Sequence, residues 1–159
     1  MKTIDYRGGL VSFEVPDDWR EEYEEEGGGT FYEDKPDSGT LRLNVLSFAN
    51  KEAKSPPQVI EEMFGAEGYE ILPCGLAMRH GVKETEEQST PLHLYRWEIL
   101  VPVTPTHVRL ACFTHTLLAA QEGTERAKVE LNIVDSIVRT ARFSTEPGIL
   151  PEKPWWKFW

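Results

Sequence analysis

Alternating apolar and polar residues predict β-strands in the first third of the chain. Residues 11–15 alternate Val, Ser, Phe, Glu and Val, and the turn residues at 16–18 end this strand. Trp19 follows directly and is predicted to anchor the core. The same alternation predicts a strand that begins at 30–32 and a longer strand at 40–48.

A stretch rich in acidic residues separates the first two predicted strands. Residues 20–26 are mostly glutamate, and three glycines follow at 27–29. A run of glycines favours a flexible turn, and a run of like charges is commonly solvated. We therefore expect residues 20–26 to form a solvent-exposed loop or a short helix.

Two segments show the spacing of apolar residues that is typical of a helix. The first begins at Ser55, which resembles an N-cap because prolines follow it and Gln58 stands three residues later. This helix is predicted to end near residues 65–68. The second begins at Thr124, with Glu125 in its first turn, where the helix dipole favours an acid. Its apolar stripe predicts a helix that lies on a sheet, and consists of Ala127, Leu131, Val134, Ile137 and Val138.

The strongest strand pattern lies in the second half of the chain. Residues 92–103 and 107–118 flank a Thr-Pro-Thr segment and predict one long hairpin. A register that collects the apolar residues on one face pairs Val101 with Val108, Ile99 with Leu110 and Trp97 with Cys112. The same register leaves three charged residues on the other face, namely Arg96, Glu98 and Arg109.

The segments before this hairpin are shorter and more polar. Residues 69–74 and 76–85 predict two strands, or one strand with a bulge near the Pro-Cys-Gly at 73–75. Residues 84–91 are predicted to form a polar loop.

The order of these elements predicts an antiparallel α+β fold. Strands cluster along the chain instead of alternating with helices, and a sheet flanked by helices is the expected arrangement. One domain is predicted over residues 1–143. A proline-rich tail at 144–159 follows it and ends in a cluster of aromatic residues.

Several of these segments resemble the PsbP-like fold. The matching parts are the Phe-Glu-Val-Pro-Asp-Asp-Trp opening at 13–19, the strand at 41–48, the short helix begun by Ser55, the two long strands and the closing helix at 129–138. The resemblance covers about residues 5–143. Proteins of this fold include the extrinsic photosystem II protein, the yeast Ran-release factor and bacterial DcrB-like proteins of unknown function. The resemblance implies a non-enzymatic accessory, assembly or regulatory role, and it carries no active-site residues to this chain.

The net charge and the composition argue against some classes of binding partner. The chain has 159 residues and a formal net charge of -10. Nucleic acids and anionic lipid surfaces attract cationic proteins, so neither a nucleic-acid partner nor a membrane partner is expected. The chain has no apolar run of 18 residues and no signal-peptide pattern, which leads us to expect a cytoplasmic protein. Cys74 and Cys112 do not form a disulfide framework.

The common motifs of catalytic and metal sites are missing from the sequence. It contains no Gly-x-Ser-x-Gly, His-Glu-x-x-His or Cys-x-x-Cys. In the predicted hairpin register, His93 and His115 lie on opposite faces and could not share a metal. We therefore expect no enzymatic activity, no cofactor and no metal. The alternative that remains open is a ligand-binding or catalytic site on the sheet face around Tyr95 and Trp97.

Two features instead predict contacts with other proteins. An acidic segment could dock a basic partner, and a terminal aromatic cluster could anchor a partner, join two copies of the chain or dock on its own domain. The candidate binding residues are Glu22, Glu24, Glu25, Glu26, Trp155, Trp156, Phe158 and Trp159. The predicted function is that of a non-enzymatic binding or accessory protein, of the immunity type or associated with bacterial secretion.

Overall fold

A computed structural model describes residues 1–25, 27–65 and 68–147 of the chain. The strands are β1 (Lys2–Tyr6), β2 (Val11–Val15), β3 (Trp19–Tyr23), β4 (Gly29–Glu33), β5 (Thr40–Ala49), β6 (Glu70–Ile71), β7 (Ala77–Glu87), β8 (Thr90–Thr104), β9 (His107–Leu118) and β10 (Arg142–Phe143). The helices are α1 (Pro56–Phe64), a 3-10 turn at Ala119–Gln121 and α2 (Glu125–Thr140).

These strands form two antiparallel sheets. The large sheet has seven strands in the order β3-β4-β5-β9-β8-β7-β6, and the small sheet has the order β1-β2-β10. The small sheet and α2 pack on one face of the large sheet, which we call the inner face, whereas α1 covers part of the opposite, outer face. The predicted fold class, an antiparallel sheet flanked by helices, is confirmed.

The register predicted for the long hairpin is wrong by one residue. Val101 pairs with Arg109, Leu100 with Leu110, and Trp97 with Phe113. A register shift between Pro102 and Thr104 near the turn moves the strands relative to each other. Apolar side chains therefore point to both faces, because α2 covers one face of the hairpin and α1 covers the other.

Residues 20–23 of the acidic segment form part of a strand, contrary to the prediction of a loop or short helix, whereas Glu24 and Glu25 lie in the turn that follows, and residues 20–25 are exposed as predicted. β3 pairs with β4 from Trp19↔Glu33 to Tyr23↔Gly29. Its first residue, Trp19, is buried in the core, and the following four residues are exposed. Because only Trp19 of this edge strand is buried, the sequence lacks the alternation of apolar and polar residues that would have predicted a strand.

The predicted polar loop at 84–91 is also wrong. β7 continues to Glu87 and β8 begins at Thr90, so only Gln88 and Ser89 form the turn. Both have positive φ angles, 50° and 68°, which is typical of a type I′ hairpin turn. The strand predicted at 69–74 is reduced to the two residues of β6.

Both predicted helices are present, with the predicted caps. At the start of α1, the Gln58 side chain accepts a hydrogen bond of 2.8 Å from the backbone N–H of Ser55. At the start of α2, Thr124 Oγ1 accepts one of 3.2 Å from the N–H of Ala127. The pattern missed the short strands β1 and β10, which pair with β2 on either side.

Candidate functional site

The acidic candidate residues lie on and beside β3, at one edge of the large sheet. Glu22 is exposed and accepts a hydrogen bond of 2.8 Å from Tyr32 Oη, which raises the pKa of Tyr32. Glu24 and Glu25 are exposed in the turn that follows β3. Glu26 lies outside the described residues. The structure therefore places three of the four predicted acids together on one solvent-exposed edge.

Neighbouring residues hold the turn after β3 in place. The Arg7 guanidinium donates a hydrogen bond of 3.2 Å to the carbonyl oxygen of Glu24, and the N–H of Gly28 donates one of 2.9 Å to Tyr6 Oη. Gly28 has a φ of 102° and its backbone approaches the side chain of Asn44 so closely that a Cβ would lie 2.7 Å from the amide oxygen. The triple glycine therefore shapes a specific turn that presents the acids.

A groove lies beside the start of β3, between this edge and α2. It has a volume of about 290 Å³ and is lined by Trp19, Glu33, Glu125, Arg126, Val129, Glu130 and Ile133. We call it the α2 groove. Val129 lines this groove and is 55% exposed. The lining thus combines three apolar side chains with three carboxylates and one guanidinium.

A buried ionisable pair lies beneath this groove. Glu130 extends from α2 towards His115 on β9, and its Oε1 lies 3.3 Å from His115 Nε2. The same oxygen accepts a hydrogen bond from the backbone N–H of Gly39, in the turn before β5. Arg126, one turn earlier on α2, donates to Ser38 Oγ at 2.9 Å. Two side chains of α2 therefore fasten the β4–β5 turn to the helix.

A second polar cluster joins β8 to the segment after β9. The carboxylate of Glu122 accepts hydrogen bonds from Tyr95 Oη at 2.8 and 2.7 Å and contacts His93 Nδ1 at 2.8 Å. Hydrogen bonds from Tyr95 and His93 hold the pKa of Glu122 below its usual value. Burial, together with the bond to Glu122, raises the pKa of Tyr95 to about 12. The cluster joins the 3-10 turn to the sheet.

The alternative site around Tyr95 and Trp97 is filled by protein atoms. Trp97 has no exposed surface, its indole N–H donates to Asp135 of α2 at 3.0 Å, and the His80 ring stacks on it at 4.7 Å. Asp135 also accepts from Arg139, which in turn binds Glu70 with two hydrogen bonds of 2.9 Å. This network links α2 to β6 and β8 on the inner face.

The prediction that His93 and His115 lie on opposite faces of the sheet is also wrong. Tyr95 pairs with His115, and His93 pairs with Leu117, so both histidines lie on the inner face. Within residues 1–25, 27–65 and 68–147, no group of three or more His, Cys, Asp or Glu side chains is arranged to hold a metal ion. Sequence reasoning missed the His115–Glu130 pair, because only the fold brings β9 and α2 together.

Two further predictions concern the C-terminal tail and the absence of a membrane partner. Trp155, Trp156, Phe158 and Trp159 lie outside the described residues, so their contacts and the tail boundary stay predictions. The buried Arg109 donates to the carbonyl oxygens of Ser144 at 2.9 Å and Glu146 at 2.7 Å, which fixes the first residues of that tail. None of the described helices is long and apolar enough to cross a membrane.

The fold is similar to that of several solved proteins. No family model and no curated protein matches the chain. A crystal structure from Bacteroides thetaiotaomicron shares 17% identity and a TM-score of 0.58 over 90% of this chain, which spans only 48% of that protein. LpqN, involved in cell envelope biogenesis of Mycobacterium tuberculosis, shares 14% identity and a TM-score of 0.58, covering 82% of this chain and 81% of LpqN.

The similarity extends to a eukaryotic protein. The Saccharomyces cerevisiae Ran-binding protein Mog1p shares 10% identity and a TM-score of 0.55, covering 94% of this chain and 97% of Mog1p. At these identities the likeness concerns the fold alone. It supports the predicted resemblance to the PsbP-like fold at that level.

Proposed function

We propose that this chain is a non-enzymatic protein-binding module. Its partner presents a segment with basic and apolar side chains, which docks along β3 and into the α2 groove. The observation that carries this proposal is the exposed acidic edge of β3, which begins at the wall of an apolar groove. Carboxylates that surround an apolar contact favour cationic partners and disfavour acidic ones.

The arrangement of charges gives the surface its preference. Glu22, Glu24 and Glu25 are exposed along and after β3, and Glu33 and Glu125 line the groove near the other end of the strand. Lys35 and Arg126 lie 2.7 Å and 3.7 Å from the carboxylate of Glu33 and neutralise it, so the exposed acids of and after β3 supply the excess of negative charge. A lysine or arginine of a partner would meet an excess of carboxylates, while its apolar neighbours would cover Val129.

The fold neighbours support a binding role. Mog1p is described as a Ran-binding protein, whereas LpqN is described as involved in cell envelope biogenesis. The specific form that we propose is an immunity-type or secretion-associated bacterial protein, acting in the cytoplasm, whose acidic surface engages a basic effector. The aromatic residues 155–159 would provide a second anchor, either for that partner or for a second copy of the chain.

A binding experiment with a defined probe tests the acidic surface. The probe is a short fluorescein-labelled peptide that alternates lysine and leucine, measured by fluorescence anisotropy at low and high salt. Replacing Glu22, Glu24 and Glu25 together with glutamine should weaken binding roughly tenfold, or about 1.4 kcal/mol. The substitution Val129→Ser should weaken it further, because the groove loses apolar contact area.

The matched control changes three acids on the α1 side of the molecule. Replacing Glu52, Glu61 and Glu62 with glutamine alters the net charge by the same amount, away from β3. If both triple variants weaken binding equally, the peptide responds only to net charge, and the proposed site is wrong.

Deletion of residues 151–159 tests the tail separately. A lower mass by light scattering would show that the tail joins two copies of the chain. An unchanged mass with a lower melting temperature would show that it stabilises its own domain instead, which contradicts an anchoring role.

A further inference from the structure

The edge of β7 that points away from β8 is the longest unpaired strand edge among the described residues. β6 pairs only with Ala77 and Met78, so no described strand pairs with β7 on this side from Arg79 to Glu87. By comparison, β3 at the opposite edge has five residues. Unpaired backbone on a long strand edge is a template for another strand.

The turn between β7 and β8 determines which backbone groups point outwards. In a two-residue type I′ hairpin, the residues that flank the turn form a hydrogen-bonded pair, and pairs alternate along the strands. Glu87 and Thr90 are therefore such a pair, and Glu86 and Pro91 are not. Pro91 has no N–H to donate, which agrees with this assignment. Four residues consequently direct their N–H and C=O groups to the free edge: His80, Val82, Glu84 and Glu86.

This edge of β7 lacks most of the features that prevent an edge strand from pairing with a strand of another molecule. β7 contains no proline, and its pairing with β8 runs from Ala77↔Leu100 to Glu87↔Thr90 without a register shift. Val82 is 60% exposed, and an added Cβ on Gly81 would meet nothing within 4 Å. The charged side chains of β7 are the feature that still opposes pairing with another strand.

We propose that β7 pairs with β7 of a second copy of this chain, antiparallel and around a two-fold axis at Lys83. In this register the outward groups of Val82 face those of Glu84 in the second copy, and those of His80 face Glu86. All four outward residues of each strand are used, giving up to about eight backbone hydrogen bonds. The two seven-stranded sheets would become one continuous sheet.

The side chains of β7 complement themselves in this register. The His80 ring faces the carboxylate of Glu86 in the second copy. Arg79 faces Glu87, which adds a second carboxylate to a guanidinium that already binds Glu98 at 2.9 Å. Opposite charges in directly facing positions stabilise antiparallel pairs. The one unfavourable pair is Lys83 with its own copy at the axis.

A neighbouring register is less favourable. Pairing Val82 with Val82 of the second copy would use three outward residues per strand instead of four. It would also place Glu86, within the paired part of the second strand, opposite Met78, where Glu70 of β6 already pairs, whereas in the proposed register only the turn residue Gln88 reaches that position. Lys83 would then face Gly81, so the two registers predict different behaviour at positions 82 and 83.

Cysteine cross-linking distinguishes these registers. In a Cys74→Ser background, Lys83→Cys should form a covalent dimer on mild oxidation, since facing residues of a non-hydrogen-bonded pair have Cα atoms about 4.5 Å apart. Val82→Cys should not, because its copy lies diagonally at roughly 7–8 Å. Cross-linking through position 82 and not 83 would show that the proposed register is wrong.

Sedimentation equilibrium of the full chain tests the dimer itself. Lys83→Gln should tighten the dimer by roughly two- to fivefold, because it removes the repulsion at the axis. Glu84→Pro should make the protein monomeric with near-unchanged stability, since it removes only an outward N–H. A monomer at the highest attainable concentration, or a dimer that Glu84→Pro leaves intact, would overturn the proposal.

Discussion

His115 and Glu130 form a buried ionisable pair that joins β9 to α2. The distance from Nε2 to Oε1 is 3.3 Å, and the two residues are 1% and 7% exposed. Neither ring nitrogen of His115 has a well-aligned hydrogen-bond partner among the described residues, so the contact is close but is not a well-formed hydrogen bond. Breaking such a pair leaves an uncompensated buried group, which costs more than the pair itself contributes.

Removal of the Glu130 carboxylate should therefore destabilise the protein strongly. We expect Glu130→Ala to lower the free energy of unfolding by about 1–3 kcal/mol, because the buried N–H of Gly39 is left without an acceptor. Glu130→Gln should cost less, since its amide oxygen can still accept from Gly39. Urea unfolding at pH 7 measures both, and equal losses would contradict the role of the Gly39 bond.

Gly39 should tolerate no side chain. A Cβ there would lie 2.5 Å from His115 Cε1 and 2.7 Å from Glu130 Oε1. Gly39→Ala should lower the free energy of unfolding by about 1–3 kcal/mol through overpacking. Gly81→Ala, in open space on β7, is the matched control and should change stability little. Similar losses in both variants would indicate a general effect of glycine replacement.

The Glu122 cluster should make stability depend on pH in the acid range. Hydrogen bonds from Tyr95 and His93 lower the pKa of Glu122 from its usual 4.5. The contribution to folding is fully present above that pH and is lost as the pH falls through the lower, folded-state pKa. Its size is modest, because the Glu122 side chain is 43% exposed.

Glu122→Gln should thus be less stable than the parent at pH 7, and the difference should shrink below about pH 4.5. Urea unfolding of both proteins between pH 7 and pH 3 checks this. Glu61→Gln, an exposed acid on α1, serves as the control. A difference that stays constant with pH would contradict the assigned hydrogen bonds.

The two thiols should differ in reactivity. Burial, with a smaller effect of the Glu98 carboxylate, raises the pKa of Cys112 to about 12, whereas Cys74 is exposed. Because the thiolate is the reactive form, a disulfide reagent at pH 8 should label Cys74 quickly and Cys112 only on unfolding. Cys74→Ser should remove the fast phase. Fast labelling of that variant would show that Cys112 is accessible.

The sequence predicted correctly those elements that bury one face and expose the other. The stripe of α2 and the N-caps at Ser55 and Thr124 each arise from local residues, and the structure contains both helices where the pattern predicts them. The alternation of β2 likewise reflects one buried and one exposed face.

The predictions that were wrong concern features that depend on contacts between elements distant in sequence. β8 and β9 are covered on both faces, so their apolar residues do not define a register, and the shift at Pro102 decided it. β3 was hidden because only Trp19 is buried. The His115–Glu130 pair depends on contact between elements distant in sequence, and neither residue shows a local signal.

The turn at Gln88 and Ser89 has a consequence for insertions and deletions. Its two positive-φ residues leave Glu87 and Thr90 as the closing pair, and alternation then assigns every other position of β7. A single-residue deletion within 83–87 would shift that alternation and exchange the residues between the two faces of the sheet. Evolution of this hairpin should therefore proceed by changes of two residues at a time, which preserve the set of groups on its free edge.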